Sequence, residues 1–401
     1  MLLFAPSQAP TGKLIKMYNF SSLPPLSLYL HIPWCVRKCP YCDFNSHEEK
    51  NGIPEKAYVA ALISDLEQEL PDIWGRQVHS IFIGGGTPSL FSAEALDELL
   101  SGIRARFSLQ PNTEITLEAN PGTVEAGKFH EFRTLGINRL SIGVQSFNDD
   151  ALQRIGRIHG RKEALHAAEQ AHDAGFDDFN LDLMFGLPQQ GLSQAIEDIN
   201  TAIDLEPTHI SHYQLTLEPN TLFHHKPPVL PEDEVRWAMQ EQCHERLADA
   251  GYGHYEVSAF AKPNRQCQHN LNYWQFGDYL GIGAGAHGKI SNAQFQTITR
   301  RSKLRHPEEF LQKASRPERI SSVQILKPDD AGFEFMLNAL RLTEGFAPHL
   351  FSDHTGLPIS IIEKQLSQAE EQELIEWDVK LIRPTERGRN YLNELLQLFL
   401  P

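Results

Sequence analysis

The sequence predicts an α/β fold: a partial (β/α)6 barrel followed by an α-rich, winged-helix-like C-terminal domain. Three observations carry this. Short β-branched and aromatic runs alternate six times with amphipathic helical stripes over residues 25–250. Chemically unusual residues recur at the carboxyl ends of those runs, where βα barrels keep their chemistry. From about Lys327 the pattern changes to helices. A chain of 401 residues accommodates one large domain and a smaller one. Eight units would close a barrel, so six make a partial one.

Taken in order, residues 1–24 are rich in Ser and Pro and read as a flexible arm. The start MLLFAPSQAPTGK has a short apolar patch and no basic residue before Lys13, unlike a secretory signal, and Met17 offers an alternative start. Strands are expected near 28–32, 78–83, 114–119, 139–145, 178–184 and 209–217. Val59, Leu62, Ile63, Leu66 and Leu70 form one helical stripe, and Leu96, Leu99, Leu100, Ile103 and Phe107 another. The last barrel helix, Glu232 to Ala250, follows Pro231, is acidic in its first turn and stops at Gly251. Residues 251–326 contain extended runs, HYEVSAFA and YLGIGAGAHGKI, suited to extending the sheet edge and covering the opening. Residues 327–401 read as helices at 328–342 and 360–373, an extended pair around 375–383 and a final helix at 385–399, together a docking or lid module.

Net charge of −16 and a pI near 5.6 argue against a nucleic-acid-binding surface. The local basic run Arg300, Arg301, Lys303, Arg305 and His306 reads as a solvated face. Five cysteines, three of them close together, suggest no disulfide framework and therefore a reducing, cytoplasmic setting. No window approaches the ~18 apolar residues of a transmembrane segment.

The densest motif is LYLHIPWCVRKCPYCDFN, Leu28 to Asn45. It places Cys35, Cys39 and Cys42 in a C-x3-C-x2-C array just after a strand, one ligand short of a closed zinc or iron–sulfur site. A [4Fe-4S] cluster on three thiolates leaves one iron open. Zinc with His31 or His47 as fourth ligand is the competing reading, disfavoured because the spacing is not that of a zinc knuckle and no second C-x2-C follows. Gly84-Gly85-Gly86-Thr87-Pro88 follows the second strand, Glu118 ends the third, Gln145 ends the fourth with Arg157 shortly after, and Asp182 lies late in the fifth. Each carboxylate alone could be a salt-bridged strand end; all facing one mouth suggest a site. Gly283-x-Gly285-x-x-Gly288 matches the dinucleotide fingerprint but opens no clear helix and has no acidic residue about 20 positions on.

The cysteine spacing, with Tyr41 before the last thiol, resembles the radical S-adenosylmethionine (SAM) superfamily. Tyr29-x-His31-Ile32-Pro33, GGGTPS, LEANP (117–121), GVQSFN (143–148) and DLMFGLP (182–188) resemble the branch related to oxygen-independent coproporphyrinogen III oxidase. That resemblance implies a cluster on Cys35, Cys39 and Cys42. It also implies SAM held by Tyr29, Gly85, Gly86, Thr87, Glu118, Gln145, Arg157 and Asp182, with Tyr41 beside them. The implied chemistry is one-electron reduction of the sulfonium to methionine and a 5′-deoxyadenosyl radical, supplied by the cofactor.

Phe44 stands where the oxidase pattern has a further cysteine, and the segment ahead of Ser27 is short for an oxidase. With His269-Asn270-x-x-Tyr273-Trp274, these departures resemble the HemW-type haem chaperones of the same group. This implies haem as cargo, delivered to apo-haemoproteins that include membrane-associated ones, with SAM cleavage left open. His269 is expected to be the axial haem ligand, on a loop beyond the barrel, with Cys267 a competing soft ligand and Tyr273 and Trp274 offering flat faces. The alternatives are an oxidase decarboxylating porphyrinogen propionates and a radical SAM enzyme on another substrate.

Overall fold

Six segments of alternating character form consecutive parallel strands: β1 (Leu26–Ile32), β2 (Val78–Gly85), β3 (Glu114–Ala119), β4 (Arg139–Gln145), β5 (Phe179–Phe185) and β6 (His209–Gln214). The computed structural model describes residues 18–122 and 127–401. Helices α1 (Glu55–Ile73), α2 (Ala93–Arg104), α3 (Phe129–Thr134), α4 (Arg161–Asp173) and α5 (Leu192–Asp204) make the crossovers, and α6 (Asp233–Asp249) follows β6.

Side chains two apart on a strand share a face. Leu26, Leu28, Leu30 and Ile32 of β1 join Ile81, Ile83, Leu117, Leu140, Leu181 and Ile210 in the main core, against Leu62 and Leu66 of α1 and Leu96, Leu99 and Leu100 of α2. Each of these leucines is at most 1% exposed. Burying one is worth roughly 1.5–3 kcal/mol, so the apolar face of each strand is fixed against the helices. The intervening positions are mostly polar, Phe82 and Met184 being the apolar exceptions: Ser27 and His31 on β1, Ser80 on β2, Thr116 and Glu118 on β3, Ser141 and Gln145 on β4, Asn180 and Asp182 on β5, Ser211 and Tyr213 on β6. That face forms the inside of the partial barrel.

The segment after α6 extends the sheet at both ends. β7 (Gly253–Glu256) and β8 (Ala259–Ala261) continue it antiparallel beyond β6. After the short helix α7 (Gln268–Trp274), β9 (Asp278–Ile282) pairs parallel with β1, and β10 (His287–Asn292), β11 (Thr297–Lys303) and β12 (Ile320–Ile325) follow antiparallel. The order across the 12-stranded sheet is β12-β11-β10-β9-β1-β2-β3-β4-β5-β6-β8-β7.

The basic run at 300–306 is corrected by this arrangement: it is mostly not a solvated face. Lys303 and Arg301 alternate onto the side of β11 that meets α1. There Lys303 Nζ pairs with Asp65 at 2.6 Å and Arg319 Nε with the same carboxylate at 2.6 Å, while Arg301 pairs with Glu69 and Asp72. The Lys303, Asp65 and Glu69 side chains are all at most 2% exposed. Arg305 and His306 alone of the run are exposed.

The C-terminal region comprises α8 (Pro328–Ala339), α9 (Pro348–Thr355), α10 (Glu363–Glu371), a hairpin of β13 (Ile375–Trp377) and β14 (Ile382–Pro384), then α11 (Glu386–Asn390) and α12 (Leu392–Gln397). The continuous last helix expected at 385–399 is broken at Tyr391, whose φ of −118° and ψ of 43° are not helical. Residues 1–17 of the expected arm lie outside the described residues. Its remaining part is not loose: Tyr18 and Phe20 are buried in the C-terminal core with Phe335 and Phe351, and the Tyr18 hydroxyl donates to Leu326 O at 2.7 Å.

Candidate functional site

The cysteine loop leaves β1 at its carboxyl end. Trp34–Cys35 pairs with His47–Glu48 to close it, the Cys42 N–H donates to Cys39 O at 3.2 Å, and Lys38 Nζ donates to Ser46 O at 3.1 Å. All three thiols are partly exposed and line one cavity of about 460 Å³. Among the described residues no three His, Cys, Asp or Glu side chains close in to chelate a single metal ion. Burial pushes Cys35 up to about 11, against a hydrogen bond with Thr87, and raises Cys42 as well, against hydrogen bonds from Ser46 and Phe44. At Cys35 and Cys42 burial thus favours the neutral thiol, and an electrophilic partner would have to take the proton's place.

Tyr41, Gly85, Gly86, Thr87, Glu118, Gln145, Arg157 and Asp182 line the same cavity. Chain topology explains the convergence, since each sits at or near the carboxyl end of a parallel strand or in the loop that follows. Gly85 has φ 120°, and a Cβ there would come within 2.6 Å of the His31 ring, so only glycine fits. Gln145 adopts φ 71° beside a register shift in the β4–β5 pairing. A strained polar residue at a bulge points to a functional constraint. Its Oε1 accepts from the Tyr213 hydroxyl at 2.7 Å.

The charges are arranged in layers. Nearest the thiols, Arg157 donates to Asn120 Oδ1 at 2.6 Å and approaches Cys39 Sγ at 3.8 Å, and Asn120 Nδ2 donates to Thr87 Oγ1 at 2.8 Å. One step away, Glu118 Oε2 accepts from the Gly85 N–H at 2.9 Å. Burial pushes Glu118 up to about 7, opposed by that bond and helped by the charge of Asp182. Deeper in the barrel, burial also raises Asp182, against hydrogen bonds from Asn180 Nδ2 at 2.8 Å and Ser141 Oγ at 3.1 Å. Among the described residues neither carboxylate is in an ion pair, although the charge of Arg139 is felt at Asp182, and carboxylates kept in a poorly solvated wall suit a cationic ligand.

Two expected residues lie elsewhere. Tyr29 lines an adjoining cavity of about 540 Å³, with its hydroxyl 2.9 Å from His31 Nδ1. The two cavities share Asp43, Phe44, Gly85 and Glu118 as a common wall. His269 is a correction: it lies in α7, on no loop, and is 1% exposed. Glu114 of β3 caps the start of α7, accepting from the N–H groups of Gln268 and His269 at 3.0 Å. Both imidazole nitrogens are engaged, Nδ1 with Ser80 Oγ at 2.9 Å and Nε2 with the Tyr273 hydroxyl at 3.1 Å. Burial, with Arg139 nearby, lowers its pKa to about 3. Cys267 is fully buried and pushed up to about 12. Neither offers a free ligand atom to haem. Tyr273 and Trp274 of the same motif do line the second cavity.

Sequence reasoning missed Asn120, Arg139, Ser141, Asn180, His209, Ser211 and Tyr213, all in the thiol-lined cavity. All but Asn120 lie on the polar face of strands β4 to β6; the polar–apolar alternation there was the available signal.

Residues 29–202 match the family described as the Radical SAM superfamily, and residues 326–391 match the HemN C-terminal domain. The chain is 52% identical over 378 residues to the Heme chaperone HemW of Escherichia coli (strain K12), covering 94% of this chain and 99% of the relative. It is 34% identical over 382 residues to the Heme chaperone HemW of Bacillus subtilis (strain 168), covering 93% and 99%. Among solved structures, coproporphyrinogen III oxidase (HemN) from Escherichia coli superposes with a TM-score of 0.79 over 94% of this chain and 90% of that one, at 22% identity, a likeness of fold.

Proposed function

The chain belongs to the HemW family of the radical SAM superfamily, and from that premise we propose that it carries haem and delivers it to apo-haemoproteins. The observation that most supports a retained cofactor site is the convergence of Cys35, Cys39 and Cys42 with eight further polar or glycine residues on one cavity. The donor set fits a [4Fe-4S] cluster better than a single ion. Three free thiols line one cavity, and a cluster can take one iron on each of them and leave its fourth iron open. In this reading Cys35, Cys39 and Cys42 hold the cluster. Gly85, Gly86 and Thr87 present backbone to SAM, Glu118 and Asp182 face its positive charge, and Arg157 with Asn120 fixes the other side.

When bound, the cluster and SAM supply reductive chemistry at the sulfonium. The chain's own residues orient the ligand: Gln145 is held by Tyr213, Arg157 by Asn120, and Glu118 by the Gly85 N–H. Phe44, 59% exposed, stands in the wall shared by the two cavities, so the expected oxidase cysteine is replaced by an apolar side chain that lines both. That supports cargo binding over porphyrinogen oxidation. We further propose that recipients include membrane-associated haemoproteins and that the protein works in the cytoplasm. Among the described residues no helix is long and apolar enough to cross a membrane. The test is anaerobic reconstitution of the wild-type protein and of the Cys35→Ala, Cys39→Ala and Cys42→Ala variants. Iron, sulfide and the cluster's visible absorption should be present in the wild type and lost in each variant. Iron and sulfide retained in the triple variant, or stoichiometric zinc in the native protein, contradicts the assignment.

A further inference from the structure

The glycine-rich turn at 283–288 does not lead into a nucleotide-binding helix; it is the tight connection between β9 and β10. Gly283 and Gly285 take φ 102° and 79°. The turn is braced on the cysteine loop by Asn45, whose Nδ2 donates at 2.9 Å to both Ala284 O and Arg305 O. What this construction delivers is His287, the first residue of β10, at the wall of the 540 Å³ cavity.

Three observations give His287 a task. The cavity falls within the ~300–1,000 Å³ of small-molecule sites and is walled by flat aromatic faces, Phe44, Trp274 and Tyr279 among them. Its cations are unevenly committed. Lys289 is neutralised by Asp278 at 2.8 Å and Arg300 is shared with Glu334, whereas exposed Arg305 has no carboxylate partner among the described residues. Finally, the histidines around it differ in availability. His31 also lines the cavity, but its Nδ1 is bonded to the Tyr29 hydroxyl and its Nε2 to Asn45 O, both at 2.9 Å. His269 behind the wall is bonded at both nitrogens. His287 is exposed, and no hydrogen bond within the described residues occupies its ring. Burial of its inner side and the charges of Arg300 and Arg305 lower its pKa, which favours the neutral imidazole that can ligate a metal.

We propose that haem is carried in this second cavity with His287 as its axial ligand, Arg305 meeting a propionate, and Trp274 and Phe44 against the porphyrin plane. This rests on the haem-carrier reading. It also reassigns the His-Asn-x-x-Tyr-Trp motif: the motif builds the cavity wall, and His269 is a positioning residue that holds the Tyr273 hydroxyl. An exposed ligand at a cavity mouth suits a carrier, since it binds the iron without enclosing it.

The test is titration of the reconstituted full chain with ferric haem, followed by the Soret band and by magnetic circular dichroism. His287→Ala should lose the histidine-ligated signature and bind haem about tenfold or more weakly. His287→Cys should bind with a shifted, thiolate-type Soret band. Arg305→Gln should bind several-fold more weakly with the band unmoved. Cluster content checks that each variant is folded. A wild-type Soret band and affinity in folded His287→Ala overturns the assignment while leaving the carrier reading in place. A wild-type protein that binds no haem overturns both.

Discussion

Glu118→Gln separates charge from shape where β2 meets β3. The carboxyl is pushed up to about 7 by burial, with the Asp182 charge adding and the Gly85 N–H opposing. A ligand bearing sulfonium and ammonium charge pairs with the ionised form, so its apparent affinity follows the ionised fraction. For a group at about 7, that fraction is about one-tenth at pH 6 and about nine-tenths at pH 8. SAM affinity should therefore gain about tenfold from this group across that interval, or about 1.4 kcal/mol. His31 does not contribute, because burial lowers it to about 4 and it stays neutral throughout. The α-amino group of SAM titrates near ~8, but it does so equally for both proteins. The readout is thus the ratio of the Glu118→Gln Kd to the wild-type Kd, measured by equilibrium dialysis on reconstituted protein. It should rise about tenfold between pH 6 and pH 8. A ratio that stays flat would refute the claim that Glu118 faces the cationic part of the ligand.

Two further predictions concern the scaffold. Lys303→Met leaves Asp65 and Glu69 in a buried site with one cation fewer, and urea unfolding should show a loss of about 3–5 kcal/mol; a loss under about 1 kcal/mol would mean that water reaches those carboxylates. Acid should also destabilise the fold. His31, His159, His244 and His269 are lowered to about 4, 4, 3 and 3, so the stability they contribute is present above about 6.5 and is lost as pH falls toward those values. Raised Glu118 and Asp198 act in the opposite sense between about 7 and 4.5, offsetting two of the four protons. These six groups together lower stability by roughly 2–3 kcal/mol per pH unit between pH 6 and 5. His209 and His212, lowered still further by burial, act in the same sense, and chemical denaturation across that range that finds stability constant or rising contradicts it.

The six parallel strands were legible because each helix after them carries an apolar stripe, as at Val59, Leu62 and Leu66, and because polar residues recur at strand ends. Eleven of the thirteen expected site residues meet in one cavity because strand ends of a parallel sheet share one rim. The deeper wall is not legible in the same way. Asn180, His209 and Ser211 look like ordinary strand polar residues until the alternation is followed across neighbouring strands. Helix α7 reads as a loop in sequence because its seven residues, QHNLNYW, have no apolar stripe, and its cap, Glu114, lies 154 positions from Gln268. The buried place of Lys303 is equally invisible in sequence: it depends on two carboxylates more than 230 residues away.

The most direct measurement of the central claim places both outcomes in one vessel. Anaerobically reconstituted protein, with SAM and reductant, is loaded with haem and mixed with an apo-haemoprotein, and a parallel aliquot receives coproporphyrinogen. Haem carriage predicts a Soret band that moves from this protein to the recipient, and no conversion of coproporphyrinogen to protoporphyrinogen. Robust decarboxylation, or haem that never leaves the chain for any recipient, would contradict it.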